Sequence, residues 1–163
     1  MDADVKFMKE ALKEAQKAFL KDEVPVGCVI VKDSKVIARA HNGREGRQDA
    51  TAHAELFCIK KACRKLGSFR LTGCELYVTL EPCPMCAGAI INARLERLVF
   101  GAFDPKAGCC GTLFDLTGCG KFNHTLRAQG SVMERECSEI LRNFFAAKRK
   151  AQREPNCLTK DDG

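Results

Sequence analysis

Residues 75–102 read ELYVTLEPCPMCAGAIINARLERLVFGA, and this pattern indicates the class of fold. Residues 75–80 alternate between polar and apolar side chains, as a β-strand does, and residues 97–102 form a second strand-like run. Between them, residues 84–93 begin with proline and continue with small and apolar residues, which predicts a short helix. A strand, a helix and a strand in this order predict two parallel strands joined by a crossover.

The N-terminal part predicts a helix followed by a β-hairpin. Apolar residues recur there at three- and four-residue steps, which indicates an amphipathic helix that ends before Pro25. Its apolar stripe consists of Val5, Met8, Leu12, Ala15 and Phe19. Residues 26–31 and 35–40 are apolar runs, and a turn is expected at Asp33 and Ser34 between them, so an antiparallel hairpin is predicted.

A second helix is predicted after a loop rich in glycine and charge at residues 42–49. Thr51 is a suitable N-cap residue for this helix, and Gly67 is a suitable residue to end it. The apolar face expected for the helix consists of Leu56, Ile59, Cys63 and Leu66.

The C-terminal part predicts one more strand and one more helix. A loop with five glycines between Gly101 and Gly120 precedes a strand expected near Ser131. The helix that follows carries an apolar stripe made of Cys137, Ile140, Leu141 and Phe144. Together these elements predict an α/β fold in which a sheet carries helices on both faces.

The length and composition are typical of one globular domain. With 163 residues, of which 45% are hydrophobic, the chain can bury a core, and we expect a single domain over residues 1–153. The polar tail at residues 154–163 is expected to be disordered. No apolar stretch approaches the roughly 20 residues that a membrane span needs, so no membrane association is expected.

The cysteine content and the charge suggest a cytoplasmic protein that meets a polyanion. The 11 cysteines are an odd number in a chain without a secretion signal, which favours reduced thiols or metal ligands over a disulfide framework. The formal net charge of +6 is modest and indicates some affinity for a polyanion.

Two short motifs together predict a catalytic metal site. The sequence TAHAE at residues 51–55 supplies His53 and Glu55, and PCPMC at residues 82–86 supplies Cys83 and Cys86. One histidine and two cysteines are three ligands for a tetrahedral zinc ion, and the fourth position stays open for water. An open position is typical of catalytic sites and not of structural ones.

The positions of these residues in their helices favour the same chemistry. Pro84 suits the first position of a helix, so Cys83 and Cys86 are expected at its positive end, where the thiolate form is favoured. Zinc lowers the pKa of its water toward about 7, and Glu55 is expected to take that proton and pass it to a leaving amine. The predicted reaction is hydrolytic removal of an amino group from a heteroaromatic ring.

Each motif alone has an ordinary explanation. A Cys-x-x-Cys pair in a reduced protein is often half of a structural zinc site or a redox pair, and His-x-Glu arises by chance. However, the chain has no second Cys-x-x-Cys, and the adjacent Cys109 and Cys110 lack that spacing. The ordered combination of both motifs therefore favours catalysis.

Further segments carry a resemblance to a known family. These are EVPVG at residues 23–27, YVTLEPCPMCAG at residues 77–88 and VFGAFD at residues 99–104. With the two motifs above, they resemble the bacterial tRNA-specific adenosine deaminases, from the first helix to about Lys150. The resemblance implies a three-layer α/β/α cytidine-deaminase-like fold with a central five-stranded mixed sheet.

The resemblance also implies partners, a cofactor and site residues. It implies a homodimer that binds one zinc ion per subunit and acts on the wobble adenosine of the tRNA anticodon stem-loop, giving inosine. His53, Cys83 and Cys86 would hold the zinc, and Glu55 would move protons. The residues implied for binding the substrate are Asn42, the backbone of Ala54, Val26, Leu80 and Asp104.

The C-terminal helix is the segment that suggests RNA. Phe144 and Phe145 precede a basic run, and an aromatic residue next to basic ones can combine base stacking with phosphate contact. Phe144 is expected in the core. The candidates for RNA contact are Lys106, Phe145, Lys148 and Arg149. Each of these assignments has a simpler alternative. The basic run can be a solvated last turn of the helix. Asn42 and Asp104 can be ordinary turn residues, and Val26 and Leu80 can be core residues.

Three functional hypotheses follow. The first is deamination of the tRNA wobble adenosine. The second is a deaminase of free guanine or cytosine, which would share the zinc ligands and Glu55 but would not need a basic C-terminal helix. The third is a zinc-stabilised RNA-binding module without catalysis, which leaves Glu55 unexplained. Cys109 and Cys110 are expected to replace small residues, with sensitivity to oxidation as the alternative.

Overall fold

The computed structural model describes residues 2–153, and within them the chain forms one five-stranded sheet with helices on both faces. The helices and strands, in chain order, are α1 (Ala3–Leu20), β1 (Gly27–Lys32), β2 (Lys35–His41), α2 (Arg44–Arg47), α3 (Ala54–Leu66), β3 (Cys74–Leu80), α4 (Pro84–Asn92), β4 (Arg97–Ala102), β5 (Arg127–Gln129) and α5 (Glu134–Arg153). The tail predicted to be disordered, residues 154–163, lies outside the described residues.

The sheet is mixed, and its strands lie in the order β2-β1-β3-β4-β5. β1 pairs antiparallel with both β2 and β3, whereas β3 with β4 and β4 with β5 are parallel. The parallel pair joined by α4 confirms the crossover predicted from residues 75–102. The five-stranded mixed sheet with flanking helices confirms the predicted fold class.

The helices divide the core into two layers. α1 and α5 cover one face of the sheet, and α3 and α4 cover the other. Side chains of a strand point alternately to its two faces, so Val29 and Tyr77 join the layer under α1 while Ile30 and Leu76 join the layer under α3. Burial on both faces explains why the strands contain nearly continuous apolar runs.

Two local features place the first helix and the hairpin. Asp33 and Ser34 both have positive φ, 49° and 61°, as the turn between β1 and β2 requires, which confirms the predicted hairpin. Gly27 lets α1 approach β1 closely, because a Cβ atom at this position would lie 1.9 Å from the carbonyl oxygen of Ala11. α1 therefore rests directly on the backbone of the sheet.

The start of α3 differs from the prediction. The helix begins at Ala54 with His53 as its N-cap, and Thr51 instead hydrogen-bonds to Asp49 through its amide and hydroxyl groups, at 2.8 and 2.7 Å. The expected loop at residues 42–49 also contains the short helix α2. The predicted end at Gly67 is confirmed.

The buried face of α3 also differs from the predicted stripe. Its buried residues are Ala54, Glu55, Cys58 and Ala62, while Leu56, Ile59, Cys63 and Leu66 are only partly buried. Small side chains let the helix come close to the sheet, and the Cys58 Sγ lies 3.6 Å from the carbonyl oxygen of Cys28. The last strand is also displaced, because β5 ends at Gln129, two residues before Ser131.

A polar cluster around Arg97 ties four elements together. The Arg97 guanidinium donates to both carboxylate oxygens of Asp4 at 2.7 Å and to the side-chain oxygen of Gln129 at 2.6 Å. The Tyr77 hydroxyl lies 2.9 Å from Asp4 and 2.8 Å from Glu75. The hydrogen bond from Arg97 lowers the pKa of Asp4. The cluster therefore joins α1 to β3, β4 and β5.

Among residues 2–153, no helix combines the length and apolar character that crossing a bilayer would require.

We expect Asp4→Asn to lower the free energy of unfolding by about 1.5–3 kcal/mol at pH 7, because Arg97 loses a charged partner in a partly buried site. The lowered pKa of Asp4 means that its stabilisation is present above the unfolded-state pKa of about 4 and is lost as the pH falls through the folded-state value. The difference between the two proteins should therefore shrink toward pH 3. Urea unfolding at pH 7 and pH 3 measures it.

Asp22→Asn is the matched control, since it makes the same chemical change in the exposed ion pair between Asp22 and Lys148. We expect it to cost about 0–1 kcal/mol. Equal losses for both variants would contradict the role of the Arg97 cluster.

Candidate active site

A cavity of about 450 Å³ lies where β3 and β4 end and α3 and α4 begin. The carboxyl ends of neighbouring parallel strands lie at the same end of a sheet, which is the usual place for a site in an α/β fold. The cavity is lined by Val24, Val26, Asn42, Arg44, His53, Glu55, Leu80, Glu81, Cys83, Phe103, Asp104, Pro105, Lys106, Ala107, Leu141 and Phe145. Most of the residues predicted for the site are therefore brought together.

The predicted metal ligands form a compact group. One side-chain donor atom from each of His53, Cys83 and Cys86 lies within 4.8 Å of the other two. The His53 Nδ1 is 3.7 Å from the Sγ of Cys83 and 3.5 Å from that of Cys86. Among residues 2–153, this is the one group of at least three such donors that lie this close together, and it is the group predicted from the two motifs.

Two helix starts bring these donors together. His53 is the N-cap of α3, and Cys83 is the N-cap of α4 with Pro84 at the first helical position. Both N-cap residues have extended backbone, with φ and ψ of −89° and 148° at His53 and of −74° and 175° at Cys83. The positive ends of two helix dipoles therefore meet at the cluster, as the sequence predicts.

The electrostatics of the cluster suit a divalent metal. The hydrogen bond with Cys86 lowers the pKa of Cys83 to about 4, and the same hydrogen bond together with burial raises the pKa of Cys86. The hydrogen bond with Cys83 raises the pKa of His53. The lowered pKa favours the thiolate form of Cys83, which is the form that binds a metal ion. One imidazole nitrogen and two sulfur atoms are the donor types that zinc prefers, so the residues present fit that ion.

Glu55 adds a buried carboxyl group beside the cluster. It lies in the first turn of α3, is 4% exposed and lines the cavity. Burial raises its pKa. Because His53 precedes the helix as its N-cap, the two side chains can face one centre although they are only two residues apart. This arrangement is the one that the His-x-Glu spacing requires.

Asn42, 12 residues before Ala54 in the sequence, orients the start of α3 through a direct hydrogen bond. Its Oδ1 accepts a hydrogen bond of 2.8 Å from the amide of Ala54, the first residue of the helix. The Asn42 side chain is 7% exposed. Because its oxygen accepts from Ala54, its amide nitrogen is the group that can donate to a ligand. The backbone of Ala54 is expected from the resemblance to help hold a base, and in this structure its N–H group donates to Asn42.

The candidates for RNA contact are divided between two places. Lys106 and Phe145 line the cavity, and Phe145 is 43% exposed. Lys148 does not line it, because its Nζ forms an ion pair of 2.6 Å with Asp22 and lies over the ring of the buried Phe144. Arg149 is exposed on α5 outside the cavity lining.

Seven lining residues were not predicted as site residues from the sequence, and two of them, Arg44 and Phe103, are large side chains at the start or end of an element. Arg44 begins α2, a helix of four residues that the sequence indicates only as a loop, and Phe103 follows β4 directly. The basic Arg44, two residues after Asn42, is the signal that could have identified the first of them. Cys109 and Cys110 are buried, and burial raises the pKa of both thiols, which disfavours their oxidation.

Comparisons with known proteins agree with this geometry. The model of the MafB19-like deaminase family matches residues 1–149. The tRNA-specific adenosine deaminase of Bacillus subtilis (strain 168) is 53% identical over 153 residues, which cover 94% of this chain and 95% of that protein. The tRNA-specific adenosine deaminase of Aquifex aeolicus (strain VF5) is 48% identical and covers 85% of this chain and 91% of its own.

Solved structures show the same relationship. A structure from a study of A-to-I editing by tRNA:A34 deaminases at the wobble position of transfer RNA superposes with a TM-score of 0.80, at 46% identity, over 83% of this chain and 99% of that one. A guanine deaminase from Bacillus subtilis gives a TM-score of 0.57 at 42% identity, over 60% of this chain and 63% of that one. This chain belongs to the MafB19-like deaminases and, among them, to the tRNA-specific adenosine deaminase family.

Proposed function

We propose that this chain is a zinc-dependent hydrolase that converts adenosine to inosine at the wobble position of the tRNA anticodon. The observation that carries the proposal is the meeting of His53, Cys83 and Cys86 beside the buried Glu55, in one cavity of a chain from this family. A carboxyl group next to a three-donor cluster is an arrangement suited to hydrolysis, whereas a structural metal site needs four protein donors.

His53, Cys83 and Cys86 would hold one zinc ion per subunit. Zinc supplies Lewis acidity that makes water a nucleophile near neutral pH. The chain contributes the thiolate of Cys83 and the positive ends of α3 and α4, which keep the donors in one place.

Glu55 is the residue assigned to proton transfer. It accepts a proton from the attacking water and donates a proton to the departing amino group, so adenine and water give hypoxanthine and ammonia. Its burial at the cavity wall keeps the carboxyl group away from bulk solvent and next to the reacting base.

The remaining lining residues are assigned to the substrate. The amide nitrogen of Asn42 donates to the purine, Val26 and Leu80 form apolar walls, and Asp104 contacts the neighbouring ribose. The Ala54 backbone acts by fixing Asn42.

A flipped base reaches a pocket of this kind when the strand around it is single-stranded, as in an anticodon loop. Around the cavity, Phe145 would stack on a base. Lys106 and Arg44 would contact phosphates, and Arg149 extends this basic surface along α5.

A deaminase of free guanine is the second candidate. The guanine deaminase from Bacillus subtilis is 42% identical over 60% of this chain, so the same site architecture is compatible with a free base. The exposed aromatic Phe145 and the basic residues near the cavity favour RNA, because a free base offers no phosphate for them to contact.

We also propose that the chain forms a homodimer and works in the cytoplasm, where tRNA is modified. Support for self-association comes from large apolar side chains exposed in the loop after β4, namely Leu113 (48%), Phe114 (68%) and Phe122 (51%). Burying such side chains against a second copy would stabilise the assembly.

We expect Glu55→Ala to lower kcat for an anticodon stem-loop by at least about 100-fold, because proton transfer loses its carrier. Zinc content, measured by elemental analysis, should stay near one ion per chain in the variant and in the wild type. Glu96→Ala, which removes an exposed carboxylate just before β4 and away from the cavity, is the control and should keep full activity. Normal turnover by the Glu55→Ala variant would refute the assigned role and favour a non-catalytic module.

A substrate comparison separates the two enzymatic candidates. The wild-type protein is incubated with an anticodon stem-loop that carries a wobble adenosine and, separately, with free guanine, cytosine and adenosine. We expect inosine in the RNA and no conversion of the free compounds, measured by mass spectrometry of nucleosides. Conversion of free guanine or cytosine alone would establish the second candidate instead.

The dimer is tested by light scattering after size-exclusion chromatography. We expect twice the 18.0 kDa mass of one chain for the wild type. Phe114→Asp should shift the mass toward the monomer, because a carboxylate would be buried in an apolar contact. A monomeric wild-type protein would contradict the homodimer.

A further inference from the structure

We propose that Glu23 and Glu81 are positioning residues of the active site. Each is a buried carboxylate that holds one of the two loops lining the cavity, by accepting hydrogen bonds from backbone amides. The inference rests on the proposed function only for its substrate. It assigns to these two side chains the task of presenting Arg44, Asp104 and Lys106 to the RNA.

Glu81 organises the loop after β4. The side chain directly follows β3, is 1% exposed, and accepts hydrogen bonds from the amides of Asp104, Cys110 and Thr112 at 3.1, 3.1 and 3.0 Å. The Thr112 hydroxyl donates a fourth hydrogen bond to it. All four donors belong to the loop that brings Asp104 and Lys106 to the cavity.

The fit of this loop around Glu81 is close. A Cβ atom at Gly108 would lie 2.4 Å from the Glu81 carboxyl carbon and 2.6 Å from the carbonyl oxygen of Asp104. The loop can therefore wrap the carboxylate only because residue 108 has no side chain. Glu81 also lies two residues before Cys83, so the same short segment fixes both the metal donors and the substrate loop.

Glu23 organises the other loop in the same way. It is 4% exposed and accepts hydrogen bonds from the amides of Glu45 and Gly46 at 3.0 and 2.6 Å. These amides belong to α2, whose first residue, Arg44, lines the cavity. Glu23 thus holds the backbone next to Arg44.

The chemistry of the two sites requires a carboxylate. Every hydrogen-bond partner found for the Glu23 and Glu81 side chains is a donor. A glutamine would replace one acceptor oxygen with an NH₂ group that faces these donors, and each N–H that loses its acceptor is left unsatisfied. The loops would then relax while the metal donors and Glu55 keep their own supports on α3 and α4.

The test uses full-length, zinc-loaded Glu23→Gln and Glu81→Gln. We expect KM for the anticodon stem-loop to rise about tenfold in each variant, the equivalent of one weakened charged hydrogen bond. The kcat should stay within a factor of about three. Hydrogen exchange should accelerate at the amides of residues 45 and 46 in the first variant and of residues 104, 110 and 112 in the second.

Three further variants distinguish positioning from charge or folding. Glu96→Gln removes the same charge from an exposed side chain just before β4, away from the cavity, and should leave KM unchanged. Should Glu81→Gln fail to fold, Thr112→Val removes only the hydroxyl donor and should raise KM, whereas Thr112→Ser should restore it. An unchanged KM despite faster loop exchange, or an equal rise in Glu96→Gln, would overturn the proposal.

Failure of the proposed function is recognised separately. If the wild type does not convert the stem-loop, the tRNA assignment fails, and the same KM comparison is made with the free base that it does convert. The exchange measurement needs no substrate. Unaltered exchange at the five amides in folded variants would refute the positioning role whatever the substrate.

Discussion

The parallel pairing of β3 with β4 brings the carboxyl ends of both strands to the same end of the sheet. β3 continues into Glu81 and Cys83, and β4 continues into Phe103 and Asp104, so the proposed metal donors and the proposed substrate residues leave the sheet side by side. If the two strands were antiparallel, the segments that follow them would begin at opposite ends of the sheet. The crossover helix α4 makes the parallel pair possible, and its first turn carries the thiols. Architecture and chemistry therefore use the same short segment.

Charge in the site is balanced by backbone as well as by side chains. The starts of α3 and α4 contribute partial positive charge where the Cys83 thiolate lies. At Glu23 and Glu81, backbone N–H groups take the place that a lysine or arginine would take in a buried ion pair. Lys106 and Arg44 line the cavity instead, where they can meet an anionic ligand.

The sequence predicts the parts of this fold that depend on local pattern. The apolar strands, the hairpin turn, the crossover and the order of the His-x-Glu and Cys-x-x-Cys motifs all follow from residues close together in the chain. The start of α3 could not be predicted, because its first amide is capped by Asn42, 12 residues earlier. Thr51 has a side chain suited to capping a helix, but its hydroxyl donates a hydrogen bond to Asp49 instead.

Contacts between residues distant in the sequence also decide which of the residues proposed to bind the substrate lie at the cavity. Lys148 and Arg149 look alike in the sequence, yet the long-range ion pair with Asp22 engages only the first of them. Arg44 lines the cavity because Glu23, 21 positions earlier, holds its loop. The buried face of α3 was also mispredicted, because small residues that permit close packing carry a weaker hydrophobic signal than leucine or isoleucine.

The two edges of the sheet limit how copies of this chain can associate. β5 has only three residues, so it offers few unpaired amide and carbonyl groups to an incoming strand. At the other edge, β2 contains Lys35 and Arg39, and the Lys61 ammonium donates to the carbonyl oxygen of Arg39 at 2.7 Å. Short strands and cationic side chains at an edge discourage the strand-by-strand growth that leads to aggregates. A contact between two copies of the chain would therefore form through helices and loops and not by pairing of edge strands.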